Sequence, residues 1–185
     1  MAWLASPQLQ IDLAAAAIAV LALLFSYRTG RRQARLERET LRLQRDSDVI
    51  AWSNDCLVHL CRAEMLLRAE YPAVISDRDY EKSRYEVLAD ISCCVDRGRL
   101  YFPNRDVDRF GVNKESAFRG KRHGVLDRLV WVYELVSAVT FAHPSDGAAR
   151  EAVRTKVNTC KREFISEVQA EVDPRRRVEF LKVHS

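Results

Sequence analysis

The side chains best able to bind something fall in one stretch, GRLYFPNRDVDRFGVNKESAFRGKRHG, residues 98–124. Arg99, Arg105, Arg109, Lys114, Arg119, Lys121 and Arg122 stand there against only Asp106, Asp108 and Glu115, and Arg97 just precedes them. Tyr101, Phe102, Phe110 and Phe118 are interleaved with these cations. Guanidinium forks grip carboxylate or phosphate oxygens, and rings supply stacking area. The mixture fits an anionic small molecule, planar or phosphorylated, or an anionic lipid surface; a cytoplasmic protein partner is the other class of occupant. Arg97, Arg99, Tyr101, Phe102, Arg105, Phe118, Arg119, Lys121 and Arg122 are therefore the candidate ligand-binding residues. The competing account is a structural loop, whose aromatics plug the end of a helical bundle and whose arginines pair with Asp96, Asp106 and Asp108. RGKRHG lacks the spacing of a P-loop, so no phosphate cradle is read from it.

Other chemistry is weakly marked. Cys56, His59 and Cys61 lie close in sequence, but only Cys56 and His59 share a helix face. No second pair stands at ligand spacing, so neither a metal site nor a cofactor is expected. No HExxH, nucleophile elbow or kinase-type set occurs, and no catalytic residue is named. Glu134, set among apolar residues, is the candidate for a buried carboxylate. His123 and His143 flank one predicted helix and read as cap or dipole partners. The five cysteines are odd in number and hold no CxxC. All but Cys56 fall on predicted apolar stripes, as reduced, packed thiols would.

The elements that must position these residues are helical. The chain has 185 residues, of which only six are glycine and five proline. Charge is high at 30%, yet the net is +4, which excludes a strongly basic nucleic-acid tail. Arginine outnumbers lysine 24 to 6, a bias that reads as GC-rich bacterial coding.

Leu13–Phe25 is an unbroken apolar run, and extended to Leu9 and Tyr27 it makes 19 residues. As a helix it would cover about 28 Å, close to the hydrocarbon thickness. Residues 1–12 carry no lysine or arginine, whereas seven arginines fall in residues 28–45. By the positive-inside rule the N-terminus lies outside and the rest in the cytoplasm. A cleaved signal peptide would want a basic start, and a buried core helix would lack the flanking asymmetry. Juxtamembrane arginines also attract anionic headgroups.

A second pattern runs on from the apolar stretch. Ala15, Ala19, Ala22, Ser26, Thr29, Gln33, Leu36, Thr40, Leu43, Ser47, Ile50, Asn54, Leu57 and Cys61 alternate steps of four and three, and none is charged. Such an uncharged seam predicts a weak parallel coiled coil and hence a homodimer. The competing account packs these leucines on the chain's own domain.

Tyr71-Pro72 should end the long helix. Ser76 with Asp79 caps a third helix ending at Gly98, with Val87, Leu88, Ile91, Cys94 and Val95 inward. A fourth helix is predicted over 123–142, apolar nearly all round and so central. Leu129–Ala142 is too short, with Glu134 inside it, to be a second span. Ser145-Asp146 should cap a fifth helix with Ala149, Val153, Val157, Cys160, Phe164 and Val168 inward. Asp173-Pro174 should open a short last one carrying Arg175–Arg177.

The expected fold is all-α: an N-terminal single transmembrane helix continuing into a long helix, plus an antiparallel four-helix-bundle-like cytoplasmic domain. Its parts are a non-cytoplasmic tail (1–8), the transmembrane helix (9–27), a basic juxtamembrane helix (28–48) and the bundle (49–185). The expected function is a non-enzymatic interaction module of the bacterial inner membrane, its partners the lipid bilayer, a second copy, and a cytoplasmic protein or anionic ligand. The alternatives are a membrane-perturbing effector or toxin, and an enzyme acting on an anionic substrate through residues 98–124.

Overall fold

A chain so poor in helix breakers should be helical, and it is. A computed structural model describes residues 7–68, 75–139 and 147–173, without the side chains of 7–10, 12–15, 17 and 117. Four α-helices carry the described chain: α1 Pro7–Leu66, α2 Asp77–Gly98, α3 Gly124–Ser137 and α4 Gly147–Val172. No strand occurs among the described residues, apart from one isolated antiparallel bridge, Arg105 to Lys121. The all-α expectation holds. The chain divides into two units, Met1–Arg45 and Asp46–Ser185.

The described residues of the first unit are helix. Its described large apolar side chains are open, among them Ile18, Leu21, Leu24, Phe25, Leu36 and Leu43. Among the described residues no helix is long and apolar enough to cross a membrane. The fully described apolar run starts only at Ile18 and is interrupted by Ser26 and Arg28.

The second unit is an antiparallel four-helix bundle. α2 packs beside α3, and α3 beside α4. The remainder of α1 closes the square. His59 and Asp55 of α1 meet Asp90 and Arg97 of α2 at 3.0 and 3.2 Å. On the other side Glu64 pairs with Arg154 at 3.5 Å and with Lys161, both of α4.

Ser76 caps α2 as its spacing predicts, its Oγ accepting the Asp79 N–H at 3.2 Å. All five residues of the predicted α2 stripe are buried, with Tyr80, Arg84 and Gly98 beside them. α1 buries Val49, Trp52, Cys56, Leu60, Ala63 and Leu66 at steps of three and four, with Leu67 buried just beyond its end. Trp52 is the hub. Its ring sits 5.5 Å from Phe102 and 5.7 Å from Phe164, and its Nε1–H donates to the Cys94 carbonyl at 3.0 Å.

Several expectations need correction. Within the bundle the competing account of the seam, packing on the chain's own domain, is the one that fails: Ile50, Asn54 and Cys61 are exposed and Leu57 half-buried. The core residues sit one or two places along, so the helix turns its seam away from its own core. Cys56, set apart from the stripes, is fully buried, while Cys61 and Cys93 are exposed. The Cys56 and Cys94 thiols interact; that interaction and burial raise the pKa of Cys56, and the same interaction lowers that of Cys94. α3 is apolar but not wholly enclosed, since Trp131, Tyr133 and Glu134 are exposed, so Glu134 is no buried carboxylate. α3 ends at Ser137 and α1 at Leu66, each short of its expected stop. In α4 Ala149 is exposed and Arg150 is buried instead. The Tyr71-Pro72 stop, the Ser145-Asp146 cap, His143 and the last helix lie outside the described residues.

Gly98 ends α2 where only hydrogen fits. A Cβ there would come within 2.5 Å of Leu126 Cδ2 and 2.6 Å of Trp52 Cζ2. Gly98→Ala is therefore expected to lower stability by about 1–3 kcal/mol, as overpacking does. Urea denaturation followed by circular dichroism checks this, and an unchanged midpoint would contradict the close contact.

Candidate functional site

Residues 99–123 join α2 to α3, and most of their length is irregular backbone held by its own hydrogen bonds. Arg105 and Lys121 exchange backbone bonds of 2.9 and 2.7 Å, and the Gly120 N–H donates to Phe110 O at 2.7 Å. Asn104 Nδ2 donates to Arg119 O at 2.7 Å. A short 3-10 turn, Ser116–Phe118, precedes Arg119. Gly120 has φ +87°, and a Cβ there would meet Arg105 O at 2.3 Å, so this crossing demands glycine. Asp106, at φ 54°, takes the left-handed conformation that short polar side chains tolerate.

Phe102 fixes the loop to the bundle. It is buried between Trp52 and His123, the His123 ring 5.1 Å away. Tyr101 is half-buried, 6.2 Å from Trp52. These two candidates plug the bundle end, as the structural account expects.

The candidate cations divide. Arg97 pairs with Asp55 at 3.2 Å and Arg122 with Asp127 at 3.2 Å, each tying the loop's root to a helix. Arg99 reaches Asp96 at 3.5 Å and lies over the Phe118 ring at 4.8 Å. Arg119 Nε donates to Lys114 O at 2.8 Å. Lys121 sits 3.8 Å from Asp106 and 4.4 Å from the Phe110 ring centre. Arg105 Nη2 stands 2.9 Å from His123 Nε2. Asp108, expected as a partner, makes no ion pair among the described residues. Exposed ion pairs of this kind contribute little, so most of these arginines keep their charge at the surface.

His123 is the N-cap of α3, its Nδ1 accepting the Val125 N–H at 3.4 Å. Burial, then the neighbouring Arg105, lowers its pKa; Glu171, Glu167 and Asp127 oppose this more weakly. Neutral imidazole can keep Nδ1 as an acceptor, whereas imidazolium has donors at both nitrogens. Protonation therefore ends the cap.

A second polar cluster, absent from the candidate residues above, lies at the opposite end of the bundle. Arg150 is 2% exposed, donates to Tyr80 Oη at 3.2 Å and stacks on that ring at 5.0 Å. Burial raises the pKa of Tyr80 and Arg150 opposes it. Arg84 is buried too, held by Glu81 at 2.7 Å, and donates to Ser137 O at 3.2 Å, where the α3 carbonyls end. An arginine on an apolar stripe was the available signal, at Arg150 between Ala149 and Val153.

Between α3 and α4 an open groove of about 520 Å³ is lined by Trp131, Leu135, Ala138, Thr159 and Cys160, with Glu134, Lys156 and Glu163 at its edges. Among the described residues no group of three or more histidine, cysteine or acidic side chains is placed to hold a metal ion. Comparison of the chain with family models, curated proteins and solved structures finds no match.

The His123 shift fixes a sign. Its folded pKa lies below its ordinary value of 6.5, so the folded state holds fewer protons than the unfolded. The stability it contributes is present above pH 6.5 and is lost as pH falls toward the lowered folded value. Urea midpoints measured across that window should decline less steeply in His123→Gln than in the native chain. Parallel slopes would contradict the assignment.

Proposed function

We propose that the chain is a membrane-tethered interaction module: α1 anchors it in a bilayer and pairs with a second copy, and the bundle is presented on the cytoplasmic side. The observation that carries this is the open apolar face of α1. Ile18, Leu21, Leu24 and Phe25 are each more than half exposed. In water such a run would be costly; in hydrocarbon it is the expected surface. The seven arginines that follow in residues 28–45 supply the inside-positive flank.

Pairing is supported by where the seam points. Leu36 and Leu43 are 55% and 71% exposed, and Ile50 is 46% exposed even within the bundle. The intramolecular account of the seam requires these residues covered by their own chain, and they are not. Thr40, at the intervening seam position, satisfies its hydroxyl on the Leu36 carbonyl at 2.9 Å, so a partner helix need not supply that bond. In a parallel pair Arg32 of one copy would flank Glu37 of the other, the complementary sign.

Two measurements test the proposal. The full chain expressed in bacteria should pellet with membranes and resist alkaline carbonate extraction; recovery in the soluble fraction would remove the anchor. Single cysteines at Leu36 or Leu43, with exposed Cys61 and Cys93 changed to serine, should cross-link in membranes far more than a cysteine at Leu41. Leu41 is equally open at 71% but lies off the seam. Equal cross-linking at all three sites, or none, would contradict the pairing.

A further inference from the structure

The loop at 99–123 occupies one particular end of the bundle. α1 enters this unit at Asp46, and Trp52, two turns on, packs against Tyr101 and Phe102. α4 finishes at the same end, where Glu171 lies 3.5 Å from His123. Asp46, the first residue of this unit, thus belongs to the end of the bundle that carries the loop.

The exposed side chains of this loop are both apolar and basic. Leu100 is 84% and Val112 56% exposed, and Phe110 and Phe118 are also open. Between them stand Arg109 and Lys114, both exposed and without an ion pair among the described residues. Residues 97–122 hold eight lysines and arginines against three carboxylates, an excess larger than the net charge of the whole chain. These apolar tips are not the product of a loose loop: the 105–121 bridge and the Gly120–Phe110 bond fix the backbone, and buried Phe102 fills the space beneath.

A small anion would need only the cations and would leave Leu100 and Val112 in water. An anionic membrane surface uses both, since cations meet headgroup phosphates while apolar tips enter the acyl boundary. We propose that the outer face of the loop, with Leu100, Phe110 and Val112 as apolar tips and Arg109 and Lys114 as cations, docks on an anionic lipid surface. This goes beyond the tethering proposed above and stands on the loop's own charge and exposed side chains rather than on the anchor.

The test uses the full chain with Cys61 and Cys93 changed to serine and an environment-sensitive fluorophore on Val112→Cys. The chain is reconstituted into vesicles of phosphatidylcholine alone, or of phosphatidylcholine mixed with phosphatidylglycerol. The expected result is a blue shift, quenched by nitroxide-bearing lipid, only in the mixed vesicles. The paired substitution Arg109→Glu with Lys114→Glu should abolish the shift while leaving the urea midpoint unchanged. A fluorophore that stays aqueous in both vesicles, shifts equally in both, or shifts only when cytosolic protein is added overturns the proposal. Flotation with phosphatidylcholine vesicles reads the anchor separately. A chain that floats there with an aqueous fluorophore in mixed vesicles keeps the anchor and loses the loop contact. A chain that does not float there, yet shows the phosphatidylglycerol-dependent shift, does the reverse.

Discussion

The bundle is organised around one large side chain brought against a glycine. Trp52 is 1% exposed and meets three elements: the Cys94 carbonyl and Gly98 of α2, Phe102 of the loop, and Phe164 of α4. The indole can sit there only because α2 ends in a residue with no side chain. Its N–H has a backbone acceptor, so burial leaves no donor stranded. The same contact sets the loop's root, because Phe102 closes over the indole and in turn meets His123, the cap of α3. Packing, loop placement and helix capping at this end are therefore one connected arrangement.

α1 divides its faces between two roles. Within the bundle it offers Val49, Trp52, Cys56, Leu60 and Ala63 to its own chain, and leaves Ile50, Asn54 and Cys61 outside. Over residues 18–45, whose side chains are described, the uncharged seam is exposed, while the flanks are arginine-rich. On the function proposed above, that face meets lipid along one stretch and a second helix along the next. That reading connects the anchor, the seam and the amphiphilic loop.

Much of this was legible in the sequence because local rules carried it. The Ser76 cap, the α2 stripe and the Gly98 stop follow from spacing alone, and all are present. The seam was legible as a pattern, but its direction was not: a shift of one residue along a helix turns a face by about 100°, and only packing decides which of two adjacent apolar stripes goes inward. Cys56 and Glu134 were misplaced for that reason, one buried and one exposed. The loop's composition was plain, yet the split between Phe102, sunk against Trp52, and Phe110 and Phe118, left open, depends on the long-range 105–121 bridge. Buried Arg150 was hidden because its compensation comes from Tyr80, seventy residues away.

The central claim is that the α1 seam faces a second copy in the membrane. Pulsed dipolar spectroscopy on the full chain in bilayers, with a nitroxide at position 43 as the sole accessible label, tests it most directly. The account predicts a narrow, short inter-label distance that disappears on dilution with unlabelled chain. A signal with no dipolar modulation at any protein-to-lipid ratio would contradict it.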